Sequence, residues 1–250
     1  MDDDFTALEE RSLNAWPSLK QQVFDGWMLR SAQGYTRRAN SVVPLYAGRL
    51  DLKEKIAVCR QYYRRWSLPT VFKVWPGVQG DQLDRMLQGG GFAREAETSV
   101  QTCPLDTLCA LPAHSGAVVQ SELSAAWFDA YVELSGVVPA DCGKLRAILD
   151  HVSPPIAYVY LRSEGRIVSC GIGIVEGQDV GVFSLVTAAH SRNRGLGRQL
   201  IGHIARWAHA RGAGRAYLQV MTENALAQSL YRKLGFAERY RYWYRVGPPC

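Results

Sequence analysis

Each thing this sequence lacks removes a class of protein. No apolar run in its 250 residues is long enough to span a membrane. The opening Met1-Asp2-Asp3-Asp4 is acidic and has neither the basic nor the apolar part of a signal peptide. Six cysteines (Cys59, Cys103, Cys109, Cys142, Cys170, Cys250) are scattered without the close pairs that hold zinc. They read as reduced thiols in a cytoplasmic protein, mostly core filler. Cys170 stands among strand residues with no patterned histidine, which argues against a nucleophile. No block of consecutive basic residues accompanies the net charge of +6. That charge, with a pI near 9.0, suits an anionic ligand and would also permit nucleic acid, the weakest of the readings, so charge alone decides little. Two familiar phosphate motifs also fail. Leu200 stands where a dinucleotide fingerprint needs its third glycine, and no Gly-Lys-Ser/Thr follows for a triphosphate loop.

What is present centres on Phe183 to Ile201. An apolar strand runs into a short turn, and a helix opens at Arg192-Asn193-Arg194-Gly195-Leu196-Gly197. Two glycines let the backbone approach a ligand closely. The helix start offers unpaired N–H groups and the positive end of a dipole. Arg192, Arg194 and Arg198 add full charges around those donors. This is what a pyrophosphate needs.

Around that stretch the chain alternates helices and strands. The first half reads as a helix over 6–16 with a Thr6/Glu9 capping box, strands over 23–30 and 38–45, a helix over 51–66, a strand over 70–75, a helix over 81–88 and a strand within 92–104. Residues 109–117 hold Pro112, Ser115 and Gly116 and form the best linker. The second half reads as a short strand over 118–120, helices over 124–134 and 140–152, and three strands over 156–162, 166–175 and 180–186. A helix over 195–210, a strand over 216–221, a helix over 223–234 and a strand over 237–246 complete it.

The spacing Arg192, Gly195, Gly197 resembles the acetyl-CoA motif of the GNAT superfamily of N-acetyltransferases. A second signature of that family follows: Asn224, Ala227, Leu230-Tyr231, then Gly235-Phe236. The resemblance implies a mixed α/β sheet of the GNAT fold, with a catalytic domain over 115–250. It implies acetyl-CoA as cosubstrate and direct acetyl transfer to an amine acceptor, without a metal or an acyl-enzyme. Backbone groups of Leu185, Val186 and Thr187 would hold the pantetheine arm like an added strand. The segment Arg192, Asn193, Arg194, Gly195, Leu196, Gly197 and Arg198 would take the pyrophosphate. Asn224 would contact the pantetheine, and Tyr231 would protonate the departing thiolate. Val180 to Val186 carries no carboxylate, so no base is assigned among Glu122, Glu133, Glu176, His151 and His190. A non-catalytic acyl-CoA sensor is the alternative. The acceptor and the oligomeric state stay open.

The halves also look alike. Met86 to Ala93 echoes Tyr231 to Ala237, 144 residues apart from Gly91 to Gly235. Yet Leu87 stands in the place of Tyr231, and Ala47-Gly48-Arg49-Leu50-Asp51 has neither the glycines nor the arginine set. Residues 1–110 therefore read as a degenerate GNAT-like copy without its own coenzyme, in a tandem arrangement. Three clusters in it resemble bacterial proteins with a second, GNAT-like module: Asn14-Ala15-Trp16-Pro17, Asp25-Gly26-Trp27 and Arg37-Arg38-Ala39-Asn40-Ser41-Val42. The expected role of Trp16 and Trp27 is core, and that of Arg37 and Arg38 a solvated face.

Overall fold

A computed structural model describes residues 3–248; Met1, Asp2, Pro249 and Cys250 lie outside the described residues. The first half runs α1 (Asp3–Ala15), β1 (Lys20–Phe24), β2 (Trp27–Ser31), a 3₁₀ turn at Arg37–Ala39, β3 (Val42–Pro44), α2 (Leu52–Arg64), β4 (Val71–Val74), α3 (Gly80–Gly89), β5 (Ala93–Pro104) and α4 (Leu105–Cys109). The second runs β6 (Ala117–Gln120), α5 (Ala125–Ser135), α6 (Pro139–Asp150), β7 (Ile156–Ser163), β8 (Arg166–Glu176), β9 (Asp179–Thr187), α7 (Leu196–His209), β10 (Arg215–Met221), α8 (Ala225–Lys233) and β11 (Ala237–Val246).

All the strands form one mixed sheet in the order β1-β2-β3-β4-β11-β5-β10-β9-β8-β7-β6. The order reads as two copies facing each other. Displaced by 144 residues, α2, β4, α3 and β5 fall on α7, β10, α8 and β11. The last strands are exchanged: β5 of the first copy lies between β10 and β11, and β11 lies between β4 and β5. The two copies are thus arranged in tandem, and each completes the other's sheet.

Helix α1 reinforces the exchange. Its buried Glu9 accepts from Lys73 Nζ on β4 at 2.5 Å and from Tyr240 Oη on β11 at 2.6 Å. Its Arg11 meets Asp179 of β9 at 2.5 Å, and Asp179 also holds Arg215 of β10 at 2.6 Å. On the opposite face α7 lays Leu196, Leu200, Ile204 and Ala208 into the core. It lies close to the sheet because β8 offers Gly173 beneath it. A Cβ there would come within 2.5 Å of Ile204 Cγ2. That close approach fixes the position of α7 on the sheet.

Three local expectations fail for physical reasons. Helix α1 already includes Asp3, so Thr6 lies inside it rather than at its N-cap. The expected strand over 23–30 is a hairpin, because Asp25 (φ 44°) and Gly26 (φ 82°) both take left-handed backbone and turn the chain. Arg38 belongs to the 3₁₀ turn, and its strand starts at Val42. Helix α2 opens one residue after its expected start, with Asp51 as its cap: Asp51 accepts from the N–H groups of Lys53 at 2.8 Å and Glu54 at 3.0 Å. Asp51→Ala removes both bonds and is expected to lower stability by about 1 kcal/mol. Urea unfolding checks this, with the midpoint expected to fall at constant slope.

Candidate functional site

Strands β9 and β10 pair in parallel only at Asp179, Val180 and Gly181 with Arg215, Ala216 and Tyr217. Beyond that point they splay. β9 continues to Thr187 on β8, and β10 continues to Met221 on β5. The edge of β9 over 182–187 is thus left without a strand partner on the β10 side, which is a template for an extended ligand. β9 is also bulged. Its register shifts between Cys170 and Ile172 on the partner strand, and Ser184 sits at φ 54°. The Ser184 hydroxyl is buried and makes no hydrogen bond.

The three expected β9 residues divide. Leu185 lines the cleft between the splayed strands. The Val186 carbonyl accepts from Ser169 Oγ at 2.9 Å, and the same hydroxyl bonds Thr187 Oγ1 at 2.9 Å. Those two groups are committed to β8. The Thr187 carbonyl accepts from Arg192 Nε at 3.3 Å, which ties the strand end to the turn that follows.

That turn uses two left-handed residues, Asn193 (φ 61°) and Gly195 (φ 77°), and α7 opens directly after it. Gly195 is the cap of α7 and supplies no side chain to its first N–H groups. By helix geometry those groups stay unpaired. Leu196 is buried and anchors the helix, while Arg192, Asn193, Arg194 and Arg198 are exposed around its mouth. Gly197 has ordinary backbone, and a Cβ on it would meet only Leu230 Cδ2 at 3.4 Å. Nothing in the chain itself therefore demands glycine at 197.

The matching turn of the first copy is filled from within. The Asp25 carboxylate accepts from the N–H of Arg49 at 2.8 Å and of Leu50 at 3.1 Å, and Asp51 takes those of Lys53 and Glu54. Displaced by 144 residues, these donors are Asn193, Arg194, Gly197 and Arg198. The backbone bonds, with Lys55 at 3.1 Å, hold the Asp25 carboxyl below the usual carboxylate range. Two carboxylates occupy in the first copy the donors that the second leaves open.

The cleft between the strands holds about 450 Å³. Phe183, Ser184 and Leu185 line it from β9, and Gln219, Val220 and Met221 from β10. Asn224, Ala227 and Tyr231 line it from the α8 side. Asn224 caps α8 through its Oδ1, which accepts from Ala227 N–H at 3.1 Å. Tyr231 is almost fully buried, and burial pushes its hydroxyl up to about 12. Its position is set by how α8 stops. Gly235 takes φ 90°, Gly235 N–H returns to Arg232 O and Phe236 N–H to Tyr231 O. The Phe236 ring meets Tyr231 edge-on at 5.8 Å. This is a Schellman stop with its apolar contact. Helix α3 ends the same way, with Gly91 at φ 78° and Phe92 N–H on Leu87 O. The repeated motif is helix-stop chemistry in both copies; only the second carries a hydroxyl.

None of the proton acceptors considered from sequence lines the cleft. Glu122, Glu133 and His190 lie on the surface. Glu176 accepts from Asn14 Nδ2 at 2.9 Å, and the His151 ring sits on the Ala147 carbonyl at 2.7 Å. Instead the far wall comes from the first copy and from β11: Thr36, Arg37, Arg38, Thr98, Tyr242 and Tyr244. The sequence carries a signal for the β11 part. Tyr240, Tyr242 and Tyr244 alternate, and all three are buried. For Arg37 and Arg38 the expectation of a solvated face holds only for Arg37.

Residues 3–245 match the model of the family described as "Probable histone acetyltransferase Rv0428c C-terminal". The uncharacterized N-acetyltransferase YobR of Bacillus subtilis is 26% identical over 251 residues, covering 98% of this chain and 99% of that one. A GCN5-related N-acetyltransferase from Kribbella flavida superposes with a TM-score of 0.72 at 16% identity, over 97% of this chain and 95% of the other. A tandem GNAT protein from the clavulanic acid biosynthesis pathway gives 0.65 at 14% identity, over 84% and 76%. The chain belongs to the family of the Rv0428c C-terminal region, within the GNAT superfamily of N-acetyltransferases.

Proposed function

We propose that the chain transfers an acetyl group from acetyl-CoA to a primary amine by direct attack in a ternary complex. The observation that carries this is one open helix start joined by a splayed strand edge to a cleft ending at Tyr231. The N–H groups of the first turn of α7 take the pyrophosphate, with Arg192, Arg194 and Arg198 around them. Leu185 carries the pantetheine contact along β9, and the amide nitrogen of Asn224 faces the same arm. The free-base amine attacks the thioester carbonyl carbon. A C–N bond forms, the C–S bond breaks, and the sulfur takes its proton from Tyr231 Oη. The proton shed by the attacking nitrogen passes to solvent, since no carboxylate among the described residues lines the cleft, and the Tyr231 phenolate left behind takes a proton back from solvent. Catalysis and coenzyme belong to residues 115–250, while residues 1–110 complete the sheet and supply the acceptor wall. We place the protein in the cytoplasm; no helix among the described residues is long and apolar enough to cross a membrane.

The test is a panel of amines with acetyl-CoA, read as free thiol released. The missing carboxylate favours a second reading, a sensor that binds acyl-CoA without turnover. Tight binding with no thiol release from any amine would decide for the sensor. Stoichiometry is a separate expectation: calorimetry should give one acetyl-CoA per chain, because Asp25 and Asp51 fill the other turn. Two equivalent sites would overturn the reading of a closed first copy.

A further inference from the structure

The loop that brings the first copy to the cleft is built with unusual care. Buried Asn40 uses its whole amide: Oδ1 accepts from the N–H groups of Ala32 at 2.7 Å and Gly34 at 2.9 Å, and Nδ2 donates to the carbonyls of Tyr35 and Thr36 at 2.8 Å. Buried Arg30 donates to the Arg38 carbonyl at 2.6 Å, and to the carbonyls of Leu13 and Trp16. Thr36, a β-branched residue, is held at φ 61°, and its Oγ1 accepts from Trp16 Nε1 at 3.1 Å. Such backbone is costly and persists where the surroundings over-determine it.

What the loop presents is one uncompensated cation. Arg37 is tied to Glu95 at the rim. Arg38 lies with its guanidinium 4.3 Å over the Trp16 ring and 5.9 Å from the Phe183 ring, and no ion pair among the described residues includes it. A guanidinium stacked by its face keeps its N–H edge for a planar anion. The position decides which anion. Phe183 adjoins the Ser184 bulge, whereas the pyrophosphate turn begins beyond Thr187, about 13 Å further along an extended strand. Arg38 therefore stands at the acceptor end. Among the described residues no carboxylate lines the cleft, and Glu95 at its rim is already paired with Arg37, so a polycationic acceptor would meet net positive charge there.

We infer that the acceptor is a small primary amine that also bears a carboxylate, and that Arg38 binds that carboxylate. This rests on the acetyl-transfer reading above. It is tested with matched pairs of amino carboxylates and their carboxamides, assayed with acetyl-CoA by thiol release. The amide of an α-amino acid has the less basic amine, so its larger free-base fraction works against the expected preference. The carboxylates should have kcat/KM at least about tenfold above their amides. Arg38→Gln should raise KM for the carboxylate roughly 10- to 100-fold, as loss of a hydrogen bond to a charged group does. The amide rates and the acetyl-CoA KM should stay within about twofold, and Arg38→Lys should recover part of the loss. Equal use of acids and amides, or faster use of polyamines or lysine-rich peptides, overturns the inference but leaves acetyl transfer intact. So does an Arg38→Gln variant that slows both members of each pair alike, whether through misfolding or a general role. If no amine releases thiol, acetyl transfer fails. Calorimetry of the N-acetylated acids against their amides, on CoA-loaded protein, then decides the inference alone. Binding that is selective for the acid and lost in Arg38→Gln supports it, and any other result overturns it.

Discussion

Gly197→Asp should raise the dissociation constant for acetyl-CoA at least about 100-fold, roughly 2.7 kcal/mol, in a protein that folds as well as the parent. Both halves of this expectation come from the structure. The new Cβ meets nothing nearer than Leu230 Cδ2 at 3.4 Å, and the backbone at 197 needs no glycine. A carboxylate in the first turn of a helix is favourable by about 0.3–1 kcal/mol, so thermal stability should hold or rise slightly. The same carboxylate would take the N–H donors that the pyrophosphate needs and would repel its charge. In the first copy carboxylates already occupy the corresponding donors, from Asp51, which aligns with Gly195, and from Asp25. Calorimetric titration with acetyl-CoA, beside a thermal melt, makes the measurement. An unchanged affinity in a folded variant would mean that the turn is structural only, and that the coenzyme assignment is wrong.

How much of this was legible in the sequence depends on how local each feature is. The turn at 192–198 could be read because its glycines and arginines act within one helical turn. The Tyr231-to-Phe236 motif could be read because a helix stop is written in six consecutive residues. The copy relation was legible in the shared stop at Gly91 and Gly235. The strand exchange was not. β11 carries alternating tyrosines as a strand should, but alternation fixes a face and says nothing of the neighbour. Two copies that keep their own last strands and two that trade them have the same local pattern.

The cleft's far wall was hidden for the same reason. Arg38 owes its place to Trp16, twenty-two residues earlier, and to Phe183 in the other half. Asp25 was expected inside a strand, where its carboxylate has no special task. Its positive φ turns the hairpin and delivers the carboxylate to Arg49 and Leu50. Ser184 was hidden inside an apolar run. A bulge shows in the pairing register, which one strand's sequence does not contain.

Tyr231→Phe is the substitution that separates enzyme from sensor. The phenylalanine keeps the ring against Phe236 and the Schellman stop intact, so α8 and the cleft should be unchanged. Only the hydroxyl is lost. If Tyr231 protonates the leaving thiolate, general acid catalysis being worth roughly 10²–10⁴-fold, kcat should fall by at least about tenfold while affinity for acetyl-CoA stays within about twofold. The pH profile gives the same assignment a second readout. The acid must be protonated to act, and burial pushes the Tyr231 hydroxyl from its ordinary 10 up to about 12. Its loss of activity with rising pH therefore lies above the usual tyrosine range. With no carboxylate lining the cleft, the rising limb should follow the acceptor amine's own deprotonation. For the wild type, log kcat/KM should thus climb with slope near one from pH 6 toward the amine's pKa, with no falling limb below about pH 10. A plateau that begins well below the amine's pKa would instead point to a base on the protein. A phenylalanine variant that turns over a good acceptor at the wild-type rate would remove Tyr231 as the acid. A parallel loss of acetyl-CoA affinity would assign the hydroxyl to binding.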